Sequence, residues 1–332
     1  MKKLVTLKEL SKELGVSVST VSKALNNDST IGHYTRERVE RLARDRHYVP
    51  NEVARNFQQQ RSLTIGLIVP NVLDQFFVQA INGVDEVASA RQYTVLMSQT
   101  LDDERRANAI LDQMRLDGVD GLISTITPTT TDLTPYRRLE KAGIPVVFMS
   151  RSPNDPACAQ VTLLNDDAAC NATTFLMERG HQRLAYLNGP PCVAASQQRR
   201  IGFERALIEQ HRANDGLVYQ PAGLTPTDTE QAIEALMALP EHPTGILTFK
   251  TYMALDAIAY LKRIYPERLN TVEFVGFSNL PLLKHLAHKP VASVEENPGL
   301  MGAESMRLLM QLMSDTPVTS THIEIPGTLI VH

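Results

Sequence analysis

The chain changes its hydrophobic rhythm once, near residue 62. Before that point the apolar positions recur at helical spacing. In TLKELSKELGVSVSTVSKALN, Leu7, Leu10 and Leu14 share one face and the run stops at Gly15, which predicts a short amphipathic helix. Thr6 and Glu9 have the spacing of a capping box at its start. Ser17 is placed to cap a second helix over Val18–Leu25, with Val21, Ala24 and Leu25 turned inward. A third begins near Thr35, carries Val39, Leu42 and Ala43 inward, and has Arg36, Arg38, Arg41 and Arg44 among its outer residues. Pro50 makes Tyr48-Val49 extended, Asn51 can cap a last short helix through Phe57, and the polar QQQRS reads as a linker. From Thr64 onward short apolar runs replace this pattern: LTIGLIVP, YTVLMSQ, DGLIST, IPVVFMS, AQVTLL, RLAYLNG, TGILTF and VEFVGF. They lack strict alternation, as buried parallel strands do. Helical stretches lie between them, among them 75–90, 104–116, 197–211 and 252–264. Such alternation predicts doubly wound α/β architecture in two units.

Composition sharpens this division. Of 332 residues, 43% are hydrophobic and 21% charged, the balance of an ordinary globular protein, and a single core rarely grows past ~250–300 residues. Residues 1–61 hold 12 Lys/Arg against 7 Asp/Glu, whereas the remainder holds 21 against 30. A basic head on an acidic body implies a polyanionic partner for the head alone. Cys158, Cys170 and Cys192 are odd in number and too widely spaced for metal pairs, which fits a reducing compartment. No run reaches the ~18 apolar residues of a membrane span, and charges interrupt any leader-like segment after MKKLV, so the expected location is cytoplasmic, with no membrane partner.

Two helices joined by a tight glycine turn and followed by a third describe a helix-turn-helix. In that motif the second helix enters the major groove. Small hydroxyl side chains on its outer face let the backbone approach DNA and donate to phosphate or base, which explains a surface of Ser19, Ser22 and Lys23. An ordinary helical hairpin remains the plainer reading of these 21 residues alone.

The longer stretch VTLKELSKELGVSVSTVSKALNNDSTIGHYTRERVERLARDRHYVPNEVA closely resembles the N-terminus of the LacI/GalR family of bacterial transcription regulators. IGLIVPNVLDQFFVQAINGVDEVA, DGVDGLIS, AGIPVVFMSR, ERGHQRLAYLNGP, RRIGFERAL and FVGFSN resemble its ligand-binding core in the same order. The resemblance implies a helix-turn-helix domain over 1–50, a hinge helix and linker over 51–61, and an effector-binding and dimerisation domain over 62–332. The last would form two α/β lobes like a periplasmic sugar-binding protein, one near 62–162 and 292–320, the other near 163–291. Val18, Ser19 and Lys23 match base-reading positions, and Lys23 replaces an arginine often found there, giving a single-point contact. Thr6, Ser17, Thr20, Asn26 and Tyr48 match positions that touch phosphates or orient the domain. Asn51, Ala54 and Phe57 match the hinge helix, where Phe57 stands in place of a leucine wedge.

Parallel sheets bind ligands at the carboxyl ends of their strands. Candidates for an effector are therefore Asp74, Gln75 and Phe76 after the first run, Ser150 and Arg151 after PVVFM, Asn165 and Asp166 after VTLL, Lys250 after GILTF, and Ser278 and Asn279 after FVGF. Arg199, in RRIGF, matches an arginine that often clamps the effector in the resembled family. Sugar hydroxyls suit these planar donors and carboxylates, and Phe76 can lie against a sugar face. Lys250 stands where the family commonly has asparagine and makes the cleft more cationic, which points to a sugar acid or sugar phosphate. A neutral sugar is expected instead if Lys250 pairs with Asp166 or faces solvent.

The resemblance implies a homodimer on double-stranded operator DNA, since tetramer-forming heptads are absent after SMRLLMQLMSD and a strand-like HIEIPGTLIVH follows. No GxGxxG follows a strand, no GxxxxGK[ST] occurs, and Gly276-Phe277-Ser278 lacks the last glycine of a nucleophile elbow, so neither an enzyme nor a cofactor is expected. His285 and His288, flanked by Lys284 and Lys289, look like a solvated patch rather than metal ligands. A stand-alone solute-binding protein would need export and no basic head.

Overall fold

The computed structural model describes residues 5–48, 61–314, 318 and 320–332. The chain divides into two compact units, 1–61 and 62–332. In the small unit, α1 (Leu7–Leu14), α2 (Val18–Leu25) and α3 (His33–Asp45) surround a core of Leu10, Val21, Ala24, Val39 and Ala43. The predicted caps form. Thr6 Oγ1 accepts from the Glu9 amide at 3.2 Å while Glu9 Oε2 accepts from the Thr6 amide at 2.9 Å. Gly15 ends α1 at φ 69, a left-handed conformation that glycine adopts without strain. The third helix starts two residues earlier than the apolar spacing indicates, because Gly32 rather than a side chain makes its entry. Asn51, Ala54 and Phe57 lie outside the described residues.

The large unit contains two six-stranded sheets. The first is built from β1 (Thr64–Val69), β2 (Thr94–Gln99), β3 (Gly121–Ser124), β4 (Val146–Met149), β5 (Ala159–Leu163) and β11 (His322–Ile325), in the order β11-β5-β4-β3-β1-β2, all parallel. The second is built from β6 (Leu184–Leu187), β7 (Gly216–Tyr219), β8 (Gly245–Thr248), β9 (Glu273–Phe277), β10 (Ala292–Glu295) and β12 (Thr328–Val331). Its order is β12-β10-β9-β8-β6-β7, and only β12 runs antiparallel. Strands such as β3, β4, β6 and β8 are buried along their whole length, which is why they read as unbroken apolar runs. All eight runs recognised in the sequence are strands.

Helices α4 (Gln75–Ala90), α5 (Glu104–Asp117) and α6 (Thr134–Lys141) belong to the first lobe. Helices α7 (Asn165–Glu178), α8 (Ala194–Glu209), α9 (Pro226–Met237) and α10 (Thr251–Ile264) belong to the second. Then α11 (Pro298–Leu312) returns to pack along α4. That contact is tight: a Cβ on Gly83 would lie 1.9 Å from the Gly299 carbonyl oxygen, and one on Gly302 would lie 2.0 Å from that of Ala80.

The chain thus passes between lobes three times, at Leu164, at Glu296–Asn297 and at Pro326–Gly327. These passages are bonded to one another. The Leu164 amide donates to the Ile325 carbonyl at 2.8 Å, and Asn297 Nδ2 to the Pro326 carbonyl at 3.1 Å. One expected lobe boundary is corrected here. Residues 292–295 form β10 of the second sheet, so the return to the first lobe begins at the second passage and not at 292. The C-terminal run is likewise two strands, one per sheet, because Pro326 lacks an amide to continue a ladder.

Candidate functional site: a recognition helix and an inter-lobe cleft

In the small unit α2 buries Val21 and Ala24 and leaves its other side to solvent. Val18 is 43% exposed, and Ser19, Lys23 and Asn26 are exposed beside it. Spacings of three and four residues place 19, 22, 23 and 26 on one face. Ser17 Oγ accepts from the Thr20 amide at 3.0 Å and lies 2.7 Å from Ser19 Oγ and 2.8 Å from Thr20 Oγ1, so the helix opens in a cluster of hydroxyls. Asn26 Nδ2 donates to the Ser22 carbonyl at 3.0 Å. Lys23 lies 4.0 Å from Asp28, a loose surface contact. Tyr48 packs against the edge of the small core. The face is long enough for a groove, free of carboxylates, and held rigid by its cap.

In the large unit the carboxyl ends of both sheets frame a cleft. Asp74, Phe76, Ser150, Arg151, Arg199, Lys250 and Ser278, all expected from the sequence, line it together with Phe77, Val193, Ala195, Phe249 and Glu296. Ser150 follows β4 at φ 64 and Ser278 follows β9 at φ 80, so each sheet presents a serine in the left-handed region, a strain typical of functional sites. The enclosed space is ≈ 50 Å³, far below the ~300 Å³ at which small-molecule pockets begin, so the cleft is narrow in this structure. Across this cleft the Ala194 amide donates to the Ser152 carbonyl at 3.2 Å, and Cys192 Sγ donates to the Pro128 carbonyl at 2.8 Å.

Arg199 is the centre of the buried part. Its Nε donates to Asn165 Oδ1 at 2.8 Å, Nη1 to the Phe249 carbonyl at 2.5 Å and Nη2 to Glu296 Oε1 at 2.8 Å, and its guanidinium stacks 3.6 Å from the Phe277 ring centre. The arginine and glutamate side chains are only 7% and 6% exposed. Burial pushes the Glu296 carboxyl above the usual carboxylate range, against the pull of Arg199. Ser278 Oγ donates to the other Glu296 oxygen. Asn165 sits at the first passage between lobes and Glu296 at the second, so Arg199 ties both passages to the cleft wall.

Four expected residues do not line the cleft. Asn165 acts from behind, through Arg199. Asp166 faces away and accepts from Arg205 Nη1 at 3.4 Å. Asn279 donates to Glu295 Oε2 at 3.1 Å. The Gln75 amide oxygen is buried without a hydrogen-bond partner among the described residues. Glu296 was not anticipated. It follows β10, a strand too short and polar in SVEE to stand out, although the carboxyl-end rule would have reached it.

Lys250 does not pair with Asp166, and it is partly buried rather than free in solvent. Burial lowers its pKa, and the nearby Arg151 lowers it further, while Asp74, Asp102 and Asp256 pull the other way. Arg151 itself is anchored by Asp102, Nη1 to Oδ1 at 2.7 Å.

A DNA-reading helix and a two-lobed ligand cleft in one chain define a ligand-responsive transcription regulator. Residues 6–51 match the model of the bacterial regulatory proteins of the lacI family, and residues 65–317 match a periplasmic binding protein domain. The ribose operon repressor of Halalkalibacterium halodurans is 30% identical over 99% of this chain and 96% of its own length. The transcriptional repressor CytR of Escherichia coli is 28% identical over 95% and 92%. The crystal structure of the lac repressor dimer bound to operator and the anti-inducer ONPF superposes with a TM-score of 0.80 at 22% identity, over 99% of this chain and 98% of that one. The chain belongs to the lacI family of bacterial regulatory proteins. No helix among the described residues is long and apolar enough to cross a membrane.

Proposed function

We propose that the protein acts as a homodimer on a near-palindromic operator in the cytoplasm, by binding and not by turnover. Protein and site then share two-fold symmetry. Val18, Ser19 and Lys23 read bases, while Thr6, Ser17, Thr20, Asn26 and Tyr48 meet phosphates or hold the helix in register. A sugar or sugar derivative enters the cleft, touches Asp74, Phe76, Ser150, Arg151, Arg199, Lys250 and Ser278, and sets the angle between the lobes.

One observation carries this reading: the Arg199 guanidinium bonds simultaneously to residues at two of the three passages between lobes and to the cleft wall. A ligand that competes for this guanidinium shifts the passages themselves, and operator affinity follows the lobe angle. The test is binding of the full-length protein to fragments selected from its genome, at two salt concentrations and with a panel of sugars. Affinity should fall steeply as salt rises, with log K dropping by about 0.9 per phosphate contact for each decade of salt. It should also change with at least one sugar. Equal binding to selected and random fragments under all conditions refutes the proposal.

A further inference from the structure

The three cations of the cleft are in different situations. Arg199 has all three nitrogens committed to protein acceptors, and Arg151 gives one nitrogen to Asp102. Lys250 has no such commitment. Its ammonium joins no ion pair or hydrogen bond among the described residues, and lies 5.9 Å from the Tyr252 ring centre. It occupies the N-cap position of α10, where it offers no side-chain acceptor to the first amides of that helix. The facing helix α8 likewise begins without a side-chain cap, at Val193, and Val193 and Ala195 line the same cleft. Amide dipoles of two helix starts therefore add to the field of Lys250 and Arg151. A partly buried ammonium without a counter-ion is unfavourable, and its lowered pKa expresses this. Of the three carboxylates whose charge reaches it, two are engaged elsewhere: Asp74 caps α4 by accepting from the Phe76 amide at 3.0 Å, and Asp102 holds Arg151. The third, Asp256 on α10 itself, is half-buried and makes no ion pair with Lys250 among the described residues.

We infer that Lys250 and Arg151 form an anion subsite inside the cleft, and that the effector is a sugar derivative carrying a phosphate or carboxylate group there. Its hydroxyls meet Asp74, Ser150 and Ser278, which present acceptors and hydroxyls on the remaining walls. The inference rests on the reading that the cleft takes the effector, and it adds the charge of that effector. An ammonium serves as a point partner for either anion, whereas the Arg151 fork, held in place by Asp102, selects planar or tetrahedral oxygens.

The experiment is calorimetric titration of the full-length protein with glucose, glucose 6-phosphate and gluconate, then ribose, ribose 5-phosphate and ribonate, each repeated with an operator-bound sample. In at least one series a charged member should bind at least tenfold more tightly than its neutral parent. Lys250→Gln should weaken that member by about 10- to 100-fold and cut its affinity advantage over the neutral parent by at least about tenfold. Lys250→Arg should retain most of the affinity, and melting temperatures of both variants report folding. Neutral sugars binding as tightly as charged ones, or charged ones indifferent to Lys250→Gln in a folded protein, overturns the inference. If a neutral sugar changes operator affinity at concentrations as low as its charged derivatives, the anion subsite is wrong and the effector reading stands. If a charged one binds through Lys250 without changing operator affinity, the subsite stands and the effector reading is wrong.

Discussion

The two recognition surfaces are built on opposite principles. The face of α2 draws on about nine consecutive residues, is solvent-exposed, and owes its rigidity to one serine cap and a small apolar core. The cleft draws on the ends of strands from both sheets, buries ionic groups, and depends on Arg199 to hold distant segments together. A local surface loses little when one side chain changes. A surface assembled from afar loses much, because a stranded partner is left in a poorly solvated place.

Breaking that contrast is therefore easiest at the cleft. Arg199→Met should destabilise the large unit by about 3–5 kcal/mol, since Glu296 would remain buried without its partner. Chemical denaturation measures this, and a loss under 1 kcal/mol would show that the pair is not the keystone. Adding Glu296→Leu to the same variant should recover part of the loss.

A second charge cluster sharpens the comparison because it lies at the amino end of β9, away from the cleft. Arg179 and His181 both bond Glu273, and hold its carboxyl down at about 2. Its ordinary value is 4.5. The stability it contributes is thus complete above about pH 4.5 and is lost as pH falls toward 2, up to about 2–3 kcal/mol. Glu273→Gln should flatten the acid limb of a pH–stability curve without changing any effect of sugars on operator binding.

The local surface should yield smaller effects. Ser17→Ala removes the cap of α2 and should cost the small unit about 1 kcal/mol, read as an earlier first melting transition. Lys23→Gln should change stability by less than about 0.5 kcal/mol yet narrow the affinity gap between operator and random DNA, measured by competition binding. If it weakens both equally, Lys23 holds a phosphate and reads no base.

Legibility follows the same contrast. The small unit could be read from spacing alone, since Thr6, Gly15 and Ser17 act on neighbours within a few residues. The apolar runs revealed the two sheets because burial on both faces removes alternation. Strands β7 and β10 escaped notice: GLVY is only half-buried, and ASVE carries polar residues facing its neighbours. In the cleft, position after a strand was enough to find Ser150, Lys250 and Ser278. The same rule selects Asp166 and Asn279, which bond Arg205 and Glu295 instead of lining the cleft, because the residue that follows a strand has a second choice of face and such partners lie beyond a short sequence window. Glu296 is within reach of the carboxyl-end rule once β10 is recognised, but its pairing with an arginine 97 positions away is visible only in three dimensions.

The glycine contact between α4 and α11 has a mechanical result. With carbonyl oxygens 1.9 and 2.0 Å from where β-carbons would stand at Gly83 and Gly302, the two helices meet backbone to backbone and leave no space for any side chain between them. Since α11 starts just after Glu296, a side chain added at Gly83 or Gly302 would wedge apart the seam through which the second passage joins the first lobe.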